Sequence, residues 1–167
     1  MIEGEEEIGS KNLGPFLKEH QADLKADFVL VCDTNMWDAA TPAITTSLRG
    51  LLYEEVIIHA ANRDLHSGLF GGAARNPIRV LTNILGRLHD DNGRVQVPGF
   101  YDGVRELPDA VRDQWARLDF TPDTFLKPIG LSLPAGESDR MMIEQVSSRP
   151  AADINGIVGG YIGEGSK

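Results

Sequence analysis

The sequence predicts a mixed fold in two parts, an α/β piece over residues 1–42 followed by an α+β domain over 43–167. Three observations predict it. A helical apolar stripe (Leu13, Phe16, Leu17, Leu24) runs into Asp27-Phe28-Val29-Leu30-Val31-Cys32-Asp33, an apolar run closed by an acid, which reads as a strand buried on both faces. From Ala43 to Ala61 the chain loses helical periodicity and becomes rich in strand formers. A clean helix start then follows at Asn76-Pro77, with a capping side chain and a proline at the first helical position.

In the first part, Glu3-Gly4-Glu5-Glu6-Glu7-Ile8-Gly9-Ser10 is the stretch with chemistry in it. Consecutive carboxylates repel, so a converging set needs a cation or a shared proton to hold it. A bare run of Glu is most often a solvated turn before a helix. Ser10 is a suitable N-cap for a helix reaching about Leu24. If Met1-Ile2 ends another strand, the segment is a β-α-β unit, and Glu6, Glu7 and Asp33 all lie beyond the carboxyl ends of neighbouring strands. Open α/β sheets place ligands there. Three oxygen donors at one sheet edge look like part of a metal site. Asn35 to Pro42 reads as a loop, with Trp37 as a packing residue, and Cys32 as a small core residue.

The second part opens with Thr45, Thr46, Leu48, Leu51, Leu52, Tyr53, Val56, Ile57 and Ile58, which predict a short strand, a break near Arg49-Gly50 and a long strand to about Asn62. A shaped, glycine-rich loop, Arg63 to Gly72, contains His66. A lone loop His is most often surface decoration. The glycines lack the spacing and the Gly-Lys-Ser/Thr of nucleotide-binding loops. Ile78, Leu81, Ile84, Leu85 and Leu88 form a helix face expected to pack on the sheet. Asp90-Asp91-Asn92-Gly93 is a turn, not a calcium loop, because no further acids follow at the right spacing. Val95 to Tyr101 is extended. Leu107, Val111, Trp115 and Leu118 fit one amphipathic helix, Thr121-Pro122-Asp123 opens another, and 138–147 is helical with Met141, Met142 and Val146 on its apolar side. This insertion shows no chemical constellation. Asp153 to Tyr161 reads as a strand interrupted by glycines, and 163–167 as a turn.

Composition narrows the partners. With 16 basic and 25 acidic residues the net charge is -9, which argues against nucleic acid. No stretch is long and apolar enough to span a membrane, and no signal-peptide pattern stands at Met1. The single cysteine cannot form an internal disulfide, so a cytoplasmic location is expected.

Taken together, Glu3-Gly4-x-Glu6-Glu7-x-Gly9-Ser10, the strand ending in Asp33-Thr34, Leu48-Arg49-Gly50, Leu65-His66-Ser67-Gly68, Gly71-Gly72 and Ile154-Gly160 fall in one order. In that order the sequence resembles the carnosinase-like di-zinc dipeptidases, within the wider clan of aminoacylases and glutamate-releasing carboxypeptidases. The resemblance covers nearly the whole chain. It implies the end of a zinc-peptidase α/β catalytic domain followed by a ferredoxin-like α+β lid, or dimerisation, domain that is incomplete at its C-terminal end. It also implies roles: Glu6 as general base, Glu7 as a zinc ligand, Asp33 as a ligand of the other zinc, and His66 reaching the partner subunit's active site to stabilise the oxyanion. The implied substrate is a dipeptide or acyl-amino acid, and the implied assembly a homodimer through the lid.

Parts of the family pattern have no counterpart here. A His-x-Asp-x-x-Pro segment and a bridging Asp are expected upstream, and a zinc-binding His with a substrate-contacting Thr and Arg downstream. The chain is therefore expected to be an internal fragment, inactive alone and unable to retain zinc. The alternative is a non-catalytic dimerisation module with the same lid fold. The adjacent pair Glu6-Glu7 favours the enzyme, since a retired site has no physical need of it.

Overall fold

The structure is a computed structural model that describes residues 1–33 and 36–165. Thr34 of the Asp33-Thr34 motif, Asn35 of the following loop, and Ser166 and Lys167 of the last turn lie outside the described residues. The chain divides into two compact units, Met1–Thr46 and Ser47–Lys167.

In the first unit a 3-10 turn, Glu6–Ile8, leads into helix α1, Leu13–Glu19. Ser10 is not the cap that its side chain suggests. Gly9 and Ser10 both take positive φ (86° and 49°), turning the chain before the helix begins. The N-cap position falls to Asn12, and a distant carboxylate supplies the acceptor. Glu5 receives hydrogen bonds from the Asn12 backbone N–H (3.2 Å) and from its Nδ2 (2.7 Å). An ionised acceptor of this kind serves the free N–H groups at a helix start better than a hydroxyl does. The helix stops at Glu19, short of Leu24, which lies in the turns that follow.

Unit 2 contains α2 (Ser67–Phe70), α3 (Pro77–Leu85), α4 (Asp109–Trp115), α5 (Pro122–Phe125) and α6 (Met142–Ser147). Asn76 caps α3 as its sequence predicts, its Oδ1 accepting from the Arg79 N–H at 3.1 Å, with Pro77 in the first turn. Thr121 and Thr124 exchange hydrogen bonds across the start of α5. The turn after α3 is also as expected. Asp90 Oδ1 accepts from the N–H groups of Asn92 and Arg94, both at 2.9 Å, and an antiparallel bridge joins His89 to Val95.

The expected strands differ from what is observed. Among the described residues, no strand ladder forms over 27–33, 45–62 or 153–161. These runs are irregular and exposed, with Leu51 and Val158 at 96% and 99% of full exposure. Cys32, expected in a core, is exposed as well. The physical reason is that a strand is half of a structure. Its N–H and C=O groups and its apolar faces are satisfied only by neighbours, and among the described residues these runs pair with none. For the same reason the α3 face has no sheet beneath it: Ile78 and Ile84 remain nearly half exposed.

The small core sits elsewhere, in the segment between the 89–95 turn and α6. Val95, Leu126, Met142 and Ile143 are its buried apolar residues. Leu107, Val111, Trp115 and Leu118, the predicted face of α4, are all half-buried. No helix among the described residues is long and apolar enough to cross a membrane.

Candidate functional site

Glu6 and Glu7 open the 3-10 turn, and both are exposed. The turn is held by its backbone: the N–H groups of Ile8 and Ser10 donate to the Glu5 carbonyl at 3.1 and 2.9 Å, and that of Gly9 donates to Glu6 at 2.9 Å. Both side chains are thereby presented on a held backbone, and neither makes a hydrogen bond or ion pair among the described residues. Asp33 lies in the same unit at the end of the exposed run 27–33. Among the described residues no three His, Cys, Asp or Glu side chains come together as a metal cage would need. Glu7 and Asp33 belong to no such group among the described residues.

Unit 2 carries His66 as the N-cap of α2. Its Nδ1 accepts a hydrogen bond from the Gly68 N–H at 3.0 Å. An Nδ1 that accepts bears no proton, so the ring's N–H lies on Nε2, which makes no hydrogen bond among the described residues. The motif His66-Ser67-Gly68 has a local cause. A Cβ on residue 68 would lie 2.9 Å from His66 Cε1 and push the ring off this bond. The loop is therefore built to hold an imidazole in one tautomer, exposed to whatever approaches.

Sequence reasoning missed the charged cluster of the insertion. Glu137 receives Arg149 through Nε (2.6 Å) and Nη2 (3.0 Å), and Arg94 through Nη1 (2.8 Å). Glu106 receives Arg140 through both terminal nitrogens, one of them at 2.7 Å, and Arg112 stands 3.5 Å from it. The Arg140 hydrogen bond, ahead of the surrounding guanidinium charges, holds the Glu106 carboxyl below the usual carboxylate range. The guanidiniums of Arg94 and Arg149 lie 4.7 and 5.3 Å from the centre of the Tyr101 ring. Arg49, from the Leu-Arg-Gly motif, donates to the Arg149 carbonyl at 3.4 Å. The partners are up to 100 residues apart, so no local spacing reveals them. The Glu137–Arg149 pair is buried while the Glu106 side chain is 58% exposed, so the cluster ties the small core to its surface.

Residues 46–166 match the model of the peptidase dimerisation domain, and the chain belongs to that family. The match begins where the chain itself divides into two units. Across 99% of its length the chain is similar to the Cys-Gly metallodipeptidase dug1 of Schizosaccharomyces pombe, at 29% identity over 35% of that protein. It is 28% identical to the Beta-Ala-His dipeptidase of Rattus norvegicus, covering all of this chain and 34% of the relative. The M20 family metallo-carboxypeptidase Sso-CP2 of Sulfolobus solfataricus has a similar solved structure. It superposes with a TM-score of 0.70 at 36% identity, over 99% of this chain and 38% of that one. The chain thus spans about a third of the length of the curated relatives it matches.

Proposed function

We propose that this chain is one segment of a zinc-dependent metallopeptidase that hydrolyses the amide bond of dipeptides or acyl-amino acids. The observation that carries the reading is the pairing of two things in one chain. Nearly every residue aligns with metallodipeptidases, and His66 on the dimerisation domain is held through Nδ1, which leaves Nε2 to donate.

In this reading Glu6 is the general base. Its exposed carboxylate takes a proton from the attacking water and returns it to the leaving amine. Glu7 and Asp33 are the metal-binding carboxylates that this chain contributes, one to each ion of a zinc pair. His66 donates from Nε2 to the developing oxyanion, a contact of a type worth roughly 3–4 kcal/mol per donor. It does so in the active site of a homodimeric partner. The exposed apolar runs 45–62 and 153–161 are the strands of a ferredoxin-like α+β lid, and residues 1–42 belong to the catalytic domain. The exposed, unpaired Cys32 favours a reducing, cytoplasmic compartment.

The experiment is zinc stoichiometry and dipeptide hydrolysis by the whole protein and by its Glu6→Ala and Glu7→Ala variants. Glu6→Ala is expected to abolish turnover with metal retained, and Glu7→Ala to lose metal. Metal loss in the Glu6 variant alone would reverse the assignment.

One observation favours a second reading. The family match covers the dimerisation domain, not a catalytic one. A whole protein that dimerises through unit 2 and neither binds zinc nor hydrolyses any dipeptide would be a dimerisation module.

A further inference from the structure

A groove of about 1350 Å3 runs through unit 2 between residues 58–65, the loop 70–76 and the start of α3. Leu65 and Ser67, which flank His66 on either side, line it. So do three arginines, Arg63, Arg75 and Arg79, and a single acid, Asp64.

What sets these three apart is that they share one groove without being spent on ion pairs among the described residues. Arg94, Arg112, Arg140 and Arg149 all sit within reach of glutamates. Among the described residues Arg63, Arg75 and Arg79 take part in no ion pair, and all three are exposed. In a chain of net charge -9, an excess of positive charge gathered in one groove is a local reversal of sign that draws anions to that place. The positive end of the nine-residue helix α3 adds to it, since Asn76 and Pro77 line the same groove.

The chemistry of the donors narrows the anion. A guanidinium is a planar fork that fits a carboxylate edge-on through two hydrogen bonds. One carboxylate engages one such fork, so three forks exceed what a peptide's terminal carboxylate can use. A long polyphosphate is repelled by the rest of the surface. We propose that this groove binds acidic peptides, those with a side-chain carboxylate besides the terminal one, through Arg63, Arg75 and Arg79. It thereby makes unit 2 a specificity-determining surface beside His66. The catalytic consequence of this rests on the function proposed above; the binding itself does not.

The test is calorimetric or NMR titration of the chain with the dipeptides Glu-Glu and Ala-Ala, and with inorganic phosphate. Glu-Glu is expected to bind and Ala-Ala to bind about tenfold or more weakly, as loss of a charge-assisted contact implies. The double variant Arg75→Ala/Arg79→Ala, both positions exposed, is expected to abolish the preference while its circular dichroism and melting stay unchanged. Arg117→Ala, an exposed arginine outside the groove, should leave the preference intact. Equal binding of both dipeptides, or an undiminished preference in the double variant, would overturn the proposal. Displacement of Glu-Glu by equimolar phosphate would overturn the carboxylate assignment. In the whole protein, acidic binding together with full activity of His66→Ala would refute the role of His66 and leave the groove standing.

Discussion

Arg149 and Glu137 form a two-pronged ion pair inside the small core of unit 2, with Nε to Oε2 at 2.6 Å and Nη2 to Oε1 at 3.0 Å, and with only 5% and 3% of the two residues exposed. A buried pair of this geometry does not add much stability over an apolar pair of the same size. Breaking it from one side does remove stability, because the other charge stays behind without a partner. Glu137→Ala is expected to destabilise unit 2 by roughly 3–5 kcal/mol. Arg94→Ala, which removes the more exposed partner, should cost well under half of that. Urea unfolding of the two variants checks the ordering. Equal effects would show that Glu137 is held by Arg94 rather than by Arg149.

Gly93 tests the packing of the 89–95 turn. Its φ is +74°, and a Cβ there would collide with the Gly136 carbonyl oxygen. Beside it, the Ser138 N–H donates to the Asn92 carbonyl at 2.9 Å. Gly93→Ala therefore combines a left-handed backbone with a clash against main chain, and a loss of at least about 1–3 kcal/mol is expected. Gly103→Ala has the strained φ without the clash and should lose less. Thermal melts of both compare the two terms.

Acid should loosen the same region. Arg140 lowers the pKa of Glu106, first by its hydrogen bond and then by its charge. A carboxyl whose folded pKa is depressed contributes stability that is present above its unfolded value, about 4.3, and is lost as the pH falls through the lower folded value. Stability of the wild type is expected to fall more steeply below that pH than stability of Glu106→Gln. Parallel curves would mean that Glu106 is too solvated for its pairing to matter.

How much of this was legible in the sequence depends on the range of the interaction. The α3 start at Asn76-Pro77, the turn at Asp90-Gly93 and the face of α4 are local matters, decided within four residues, and they stand as expected. Ser10 misled because its competitor, Glu5, acts from seven residues away from Asn12 and through backbone angles that no pattern displays. Glu137, Arg149 and Arg94 lie 12 and 43 residues apart in the pairs they make, so the cluster was invisible. The runs 45–62 and 153–161 have strand composition without strand neighbours. Composition reports what a segment needs, and partners decide whether it is met. Glu6, Glu7 and Asp33 stood out as acids placed at one expected sheet edge, whereas their separate roles, and that of His66, came from resemblance to a family, because no local spacing distinguishes a base from a ligand.

The exposed runs have a consequence for the isolated chain. Apolar segments such as 51–58, which pair with nothing among the described residues, are templates for pairing with another copy. Light scattering is expected to show self-association that rises with concentration. A monomer at high concentration would show that these runs are covered within one chain.

In the proposed function each subunit lends His66 to its partner's active site. The most direct measurement mixes whole-protein subunits carrying only Glu6→Ala with subunits carrying only His66→Ala, under conditions where subunit exchange is shown independently. Each parent is expected to be inactive. The mixed dimer should regain dipeptide hydrolysis, because one of its two sites then holds an intact Glu6 and receives an intact His66. No recovery despite proven exchange would contradict the account and place His66 in its own subunit's site or outside the reaction.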